Sequence, residues 1–236
     1  MKSLLRFLNT FIYGLSFLLA VVTFSIALPI LWRGFYYLHI DLLNIPDIVG
    51  YSKEDIIFSF NELMDSLVFY KPFGEGVFSY SESGMNHFLD CRVLFTLDLI
   101  TFPISFVIFA IYSVLIKLNF IKVYKPFNMS ILFYFSFIPI LLFGSLAIFA
   151  LVDVNSAYTF FHAVLFPGKD NWIFNPYTDP IINALPEQFF LNCGILIFGV
   201  LFLILLTVII FNIVRKVCSN SIQIFNKYDL MTRRSI

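Results

Sequence analysis

The chain is short of charge. Only 13% of its 236 residues are Asp, Glu, Lys or Arg, and the 15 acids and 15 bases cancel. So little polar surface does not coat a water-soluble domain of this size. There is no basic cluster, which argues against a nucleic-acid partner. Missing as well are the local signatures of common chemistries: HExxH or CxxC for a metal, GxSxG, the P-loop and the dinucleotide glycine pattern. Cysteine is scarce, and its 3 residues make no disulfide framework. No internal repeat or low-complexity linker interrupts the sequence, so a single membrane domain over 1–236 is the simplest organisation.

What is there is apolar. Hydrophobic residues make up 60% of the chain, and the mean hydropathy is +0.89. Four stretches, about 7–31, 93–116, 129–152 and 189–214, reach the roughly 20 residues that a bilayer core demands. The first follows Lys2 and Arg6 like a secretory signal. Its run exceeds the about 7–15 residues of a signal core and lacks a small-x-small cleavage site, so it reads as a retained helix. The expected fold class is all-α integral membrane, with four transmembrane helices and two structured extracytoplasmic loops that carry short amphipathic helices.

Charge placement predicts the orientation. Lys2 and Arg6 precede the first span, Lys117, Lys122 and Lys125 lie between the second and third, and Arg215, Lys216, Lys227, Arg233 and Arg234 follow the fourth. Asp229 is the acid among them. Nearly all other carboxylates fall in the remaining loops, about 32–92 and 153–188, including Asp41, Asp47, Glu54, Asp55, Glu62, Asp65, Glu75, Glu82 and Asp90. The positive-inside rule puts both termini in the cytoplasm and both long loops outside.

Those loops carry order of their own. Ser52 with Asp55 fits a capping box, and Ile56, Ile57, Phe60, Leu63, Met64 and Leu67 follow at helical spacing. Such a helix lies on the membrane or over the mouth of the bundle. Gly74 and Gly76 mark a turn, after which Ser81 or Ser83 caps a helix running through His87 into the second span. In the second loop, Asn155 or Ser156 is the expected cap of a helix with Tyr158, Phe161, His162 and Leu165 on one face. Pro167-Gly168 ends it. Asn175-Pro176 forms a turn, and Asp179-Pro180 reads as a cap followed by proline at the first helical position.

Titratable chemistry near neutral pH belongs to the outer side, since His39, His87 and His162 all lie there. Each has a bland reading as a packed or interfacial imidazole. His39 sits in a plain stretch and reads as structural. His87 has Asp90 and Cys91 three and four residues on, close on a helical surface. Arg92 closes the loop, either as an ion-pair partner of Asp90 or as a contact for substrate. Asp98, about a turn inside the second span, is expected to pair with Arg33 or Arg92. Trp172, Phe174 and Tyr177 suit the headgroup level. By position alone, a Cys91–Cys193 disulfide, a Cys91–His87 dyad and a zinc site from His87, Asp90 and His162 stay open as alternatives, with Cys218 on the cytoplasmic side.

Two segments carry a resemblance: MNHFLDCR at 85–92 and FHAVLFPGKDNWIFNPYTDPIINALPEQFF at 161–190. With four spans and this loop layout, the chain resembles the lipoprotein intramolecular transacylases, a bacterial family of four-helix membrane proteins. The resemblance implies a cytoplasmic-membrane acyltransferase working at the outer face. Its substrate is a lipoprotein whose N-terminal cysteine carries a diacylglyceryl thioether, and the sn-2 acyl chain moves to the free α-amino group. It implies His87 and His162 as the catalytic pair, with His162 as general base and His87 supporting the oxyanion and leaving alkoxide, or the reverse. Asp90, Arg92, Tyr158, Trp172 and Asp179 are the candidate supporting residues, Asp90 or Asp179 by orienting an imidazole. No metal or organic cofactor is required, and membrane lipid is the other expected partner. Cys91 stands where the family is expected to hold a small apolar residue, and Asn175 where it is expected to hold an acid. A membrane scaffold that binds a partner through its outer loops, or a lipid ester hydrolase, are the alternative readings. Transport is disfavoured because the spans hold little polar beyond Asp98.

Overall fold

The computed structural model describes residues 2–74 and 76–234, with side chains as far as Ile222. Glu75 and the side chains of Lys227, Asp229, Arg233 and Arg234 lie outside the described residues. The chain runs through α1 (Lys2–Leu31), α2 (Arg33–Leu42), α3 (Ile45–Val49), α4 (Lys53–Phe69), α5 (Glu82–Lys117), α6 (Ile131–Val152), α7 (Val154–Leu165), α8 (Ile181–Ala184) and α9 (Glu187–Arg234). Of these, α1, α5, α6 and α9 are long and apolar enough to cross a membrane.

α1 is the axis of the bundle. It packs along α5 and also against α6 and α9, and 44% of its apolar stretch is buried against 6–11% in the other three. Small residues allow this close approach. A Cβ on Gly14 would stand 2.6 Å from the Phe135 ring of α6. Deeper in the bundle Phe17 and Val21 meet Leu201 and Leu205 of α9. Leu97, Ile100, Ile104, Leu141 and Leu203 stay exposed on the flanks, as a lipid solvent requires. At one end Arg6 donates to the Val123 carbonyl (3.0 Å) and lies over the Tyr124 ring, while Thr10 accepts from the Tyr124 N–H (2.9 Å). The N-terminus therefore shares one face of the bundle with the loop between α5 and α6.

At the other end the two long loops fold into a common lobe. Ser52 caps α4 by accepting from the Asp55 N–H (3.1 Å), and its hydroxyl donates to the Asp55 carboxylate (2.7 Å). The apolar face behind it, Ile56, Phe60, Leu63, Met64 and Leu67, is buried as its spacing predicts, against α2, α3, α8 and the start of α9. Tyr36 is 1% exposed and donates to the Ala184 carbonyl (2.7 Å), joining the first loop to the second. Each fully buried side chain of this set contributes about 1.5–3 kcal/mol. Arg33, Asn61, Asp65 and Lys71 bind one another along the outer side of α4.

Several sequence expectations need correction here. α2 and α3 are helices within a stretch read as plain, separated by Asn44 in the left-handed region (φ 49°). α7 starts earlier than expected because Asp153, not Asn155 or Ser156, is its cap. The Asp153 carboxylate accepts from the Ser156 N–H (3.0 Å) and hydroxyl (2.6 Å), and a charged acceptor outcompetes a neutral one at a helix N-terminus. On α7 only Ala157 and His162 are buried. Phe161 and Leu165 face outward. Asp98 meets neither predicted partner: Arg33 is taken by Asp65 and Asn61, and Arg92 donates to Ser66 and lies over the Tyr70 ring. The Asp98 Oδ2 is buried without a partner. Arg92 is not the ion-pair partner of Asp90, which binds Lys169 instead. Cys91, Cys193 and Cys218 are all free thiols.

Candidate active site

The site lies between α5 and α7, and the loop after α7 is tied to α5 at two places. Ser81 caps α5 by accepting from the Gly84 N–H (3.0 Å). The buried Asp179 carboxylate, 98 residues away in sequence, accepts from the Ser81 N–H (2.7 Å) and the Ser81 hydroxyl (3.0 Å), and also from the Thr178 hydroxyl (2.8 Å). A carboxylate at this spot satisfies an orphan donor and complements the positive end of the helix. Asp179 was expected to cap α8 and does not: α8 has no side-chain cap, and the Asp179 side chain serves α5. Gly84 makes the approach possible, since a Cβ there would stand 2.3 Å from Asp179 Oδ1. Asn175 forms the turn that delivers Asp179, with its Oδ1 accepting from the Tyr177 N–H (3.0 Å) and its carbonyl from the Asp179 N–H (2.8 Å).

A second tie lies one turn past His87. Asp90 accepts from Lys169 Nζ (2.6 Å) and from Asn171 Nδ2 (3.0 Å), both in the loop that follows α7. Burial opposes the charge on Asp90, but the Lys169 and Asn171 hydrogen bonds outweigh it and hold the carboxyl below the usual carboxylate range. Asp90 thus fastens the two loops together and does not itself touch an imidazole.

Between these ties His87 of α5 faces His162 of α7, ring centroids 6.0 Å apart. Both are buried, at 6% and 7% exposure. Aromatic rings close the walls. Phe166 lies 4.8 Å and Phe174 5.5 Å from the His87 ring, while Tyr158 lies 4.1 Å and Trp172 4.6 Å from that of His162. His87 lies outside the apolar part of α5, yet burial and then the neighbouring His162 push its pKa down to about 4, although Asp90 pulls the other way. Burial also lowers His162, partly offset by its bond to the Tyr158 carbonyl. Both rings are therefore neutral near pH 7.

The tautomer of His162 follows from its partner. Nδ1 lies 2.8 Å from the Tyr158 carbonyl oxygen, which only accepts, so Nδ1 carries the hydrogen and Nε2 presents a lone pair. His39 makes the same bond to the Phe35 carbonyl (2.7 Å), but it is packed against Phe35 and Phe189 in the lobe core, in keeping with a structural role. No group of three His, Cys, Asp or Glu side chains converges as a metal site among the described residues.

Of the candidate residues, the structure gathers His87, His162, Tyr158 and Trp172 into one aromatic cluster. Asp90 and Asp179 lie at its two ties, and Arg92 is turned toward α4. The sequence reading missed Lys169, Asn171 and Phe166. The Lys-Asp-Asn run after Pro167-Gly168 looks like ordinary loop polarity, and nothing local says which distant acid it meets.

No curated protein sequence matches this chain. Among solved structures it is similar to the membrane-integral lipoprotein intramolecular transacylase Lit from Bacillus cereus, with 24% identity over 95% of this chain and 97% of that one, at a TM-score of 0.68. Two forms of that protein with one histidine replaced, by arginine or by alanine, match at TM-scores of 0.67 and 0.66 with 24% and 23% identity, over 90% and 89% of this chain and 93% and 94% of theirs. The family model described as lipoprotein intramolecular transacylase Lit matches residues 11–190, a stretch that holds both histidines and both ties between their loops. By that match the chain belongs to the Lit family of lipoprotein intramolecular transacylases.

Proposed function

We propose that this protein is a cofactor-independent acyltransferase that moves the sn-2 acyl chain of a diacylglyceryl-cysteine lipoprotein to that cysteine's own α-amino group. The product is an N-acyl, lyso-glyceryl lipoprotein. The observation that carries the reading is the meeting of His87 and His162, from two separate loops, in one buried aromatic cluster.

The chemistry asks for little more. Attack by the amine forms an N–C bond at the ester carbonyl, the C–O bond to glycerol breaks, and one proton passes from nitrogen to the glyceryl oxygen. His162, whose Nε2 lone pair is free, takes the proton from the attacking nitrogen. His87, neutral at rest, relays that same proton: its ring nitrogen receives it and, because burial makes the ring a weak base, gives it up readily to the leaving oxygen, so both imidazoles end neutral. Nucleophile and electrophile sit in one molecule, so the pocket needs only to fold the glyceryl arm back on the amine. Well-oriented intramolecular reactions reach effective molarities of about 10⁵–10⁸ M. The aromatic walls keep water from competing with the amine, which favours transfer over hydrolysis. Tyr158 and Trp172 both pack on the His162 ring and on each other.

The reading puts the Arg6 end and both termini in the cytoplasm and the lobe outside a bacterial cytoplasmic membrane, supported by the basic residues at that end. There the substrate's diacylglyceryl anchor lies in the outer leaflet. The exposed Phe160, Phe161 and Val164 of α7 offer it an apolar approach. The reading takes the chain as one membrane domain, which is supported by a lobe core that includes Ile30 of α1, Phe88 of α5 and Phe189 of α9.

The test is expression in a strain whose lipoproteins keep a free amino terminus, followed by tandem mass spectrometry of the N-terminal lipopeptide. An acyl group moved from glycerol to nitrogen at constant total mass is the expected result. Loss of one acyl mass identifies a hydrolase, and an unchanged lipopeptide with correctly inserted protein returns the scaffold reading. His87→Gln and His162→Gln each lower turnover about 10²–10⁴-fold, the usual share of general acid–base catalysis.

A further inference from the structure

His87 is left with an oddity that the reaction alone does not explain. Its Nδ1 is buried with no hydrogen-bond partner, and so is the Oδ1 of Asn171. The two belong to neighbouring groups: the Asn171 side chain bears on the His87 ring and favours its protonated form. On its other side Asn171 donates through Nδ2 to Asp90 Oδ2 at 3.0 Å. The orientation of an amide is often ambiguous, but here one end is fixed. An ionised carboxylate only accepts, so the NH₂ faces Asp90 and the carbonyl oxygen faces away from it.

We infer that Asn171 is a positioning residue that links Asp90 to His87, holding the hydrogen of His87 on Nδ1 so that Nε2 is the nitrogen that exchanges the proton.

The far end of the chain agrees. His87 Nε2 lies 3.5 Å from Cys91 Sγ. Burial raises the Cys91 thiol to about 12, so the sulfur keeps its hydrogen and can donate it to a bare ring nitrogen. One direction then suits the whole line: the thiol can donate to Nε2, a hydrogen on Nδ1 has the unpartnered amide oxygen of its neighbour to turn to, and the amide nitrogen donates to the carboxylate. Reversing the His87 tautomer is tolerated at the sulfur, which can accept from Nε2–H, but it leaves two acceptors, Nδ1 and Oδ1, buried with no hydrogen to share. Asp90 makes no hydrogen bond to the ring itself; its two oxygens accept from Lys169 and Asn171. Asn171 carries that influence across. When Nε2 takes up a proton, the cation has the Asn171 oxygen as a neighbouring acceptor, polarised by the acid behind. This assigns no new group to the reacting atoms, and its catalytic consequence rests on the transacylase reading above. The tautomer itself does not.

The experiment separates the two. The protein contains only 3 histidines, so ¹⁵N-histidine labelling in nanodiscs gives three imidazoles, assigned with His39→Gln and His162→Gln. In the wild type, His87 is expected as the Nδ1–H tautomer with an unprotonated Nε2. In Asn171→Leu, which keeps the branched skeleton without the acceptor or the donor to Asp90, the His87 signals shift to the other tautomer or a mixture. Turnover of correctly inserted protein falls about 10–100-fold, the scale seen when the outer partner of a working histidine is removed. A wild-type His87 protonated on Nε2 overturns the proposal without recourse to any variant. So does Asn171→Leu that leaves both the tautomer and turnover unchanged. If the tautomer is as stated and the wild type moves no acyl chain, the arrangement stands and the transacylase reading alone falls.

Discussion

The tie between Asp179 and the start of α5 yields the sharpest prediction about stability. Asp179 is 3% exposed and accepts three hydrogen bonds, two of them from Ser81. Hydrogen bonds to a charged group are worth about 1.5–3 kcal/mol each. Removing the acceptor also relieves its desolvation, and the hydroxyls of Ser81 and Thr178 can turn elsewhere. The Ser81 N–H cannot, and leaving it buried without a partner costs about 1–3 kcal/mol. Asp179→Ala should therefore destabilise the lobe by about 3–5 kcal/mol, and Asp179→Asn by less than half of that. Gly84→Ala reaches the same contact from the other side. Its Cβ would stand 2.3 Å from the carboxylate oxygen and 3.0 Å from the Phe174 ring, an overpacking of about 1–3 kcal/mol. The two sites touch, so their effects should not add. In the Asp179→Ala background, most of the cost of Gly84→Ala should vanish, leaving only the Phe174 contact. Unfolding in detergent by urea gives the four free energies, and hydrogen exchange at the amides of 81–84 reports the tie directly. Asp179→Ala within about 1 kcal/mol of wild type, or strict additivity of the pair, would refute the reasoning.

Three further expectations can be checked alongside. Because burial drives both histidines below their ordinary pKa, the rate should not fall as pH drops through the usual imidazole range near about 6.5 on their account. It should instead rise with pH up to about 8, where the substrate's α-amino group becomes neutral, and a pH–rate profile with a dominant limb below about 6.5 would contradict this. Lobe stability has its own pH dependence: Lys71 and then Arg33 hold the Asp65 carboxyl below its ordinary value, so their contribution is complete above that value and lost as pH falls through the lowered one. Thermal melts of wild type and Asp65→Asn should converge in acid. Asp98→Asn should leave turnover within about twofold and raise the melting temperature or leave it unchanged, since Asp98 is a buried acid with no partner in a span.

How much the sequence disclosed depended on how local the cause was. The α4 cap was legible because Ser52 and Asp55 lie three residues apart and their bond needs nothing else. The buried face of α4 was legible for the same reason. Asp153 was overlooked as the α7 cap because it ends the apolar run of α6, where an acid also reads as a simple membrane boundary. Asp179 misled more deeply. Asp-Pro ahead of a short helix is the expected local pattern, and only the folded chain shows its carboxylate reaching back to Ser81. Asp90 offered two neighbours in sequence, His87 and Arg92, and took neither, because Lys169 and Asn171 arrive from the other loop with better geometry. The histidine pair stood out by side and by motif, whereas the walls that desolvate it are long-range and left no periodic trace.

The ties across the lobe also set when the protein becomes an enzyme. Each loop owns one histidine, and neither Asp179 nor Asp90 can find its partner until α6 has carried the chain back across the bilayer and the second loop has emerged. A half-made chain ending within the third span is catalytically blank, however well its first two spans are seated. By the same token, a break in the α5–α6 loop, at the opposite face of the bundle, leaves every tie intact. Two fragments cut there and expressed together would carry all that is needed to rebuild the pocket.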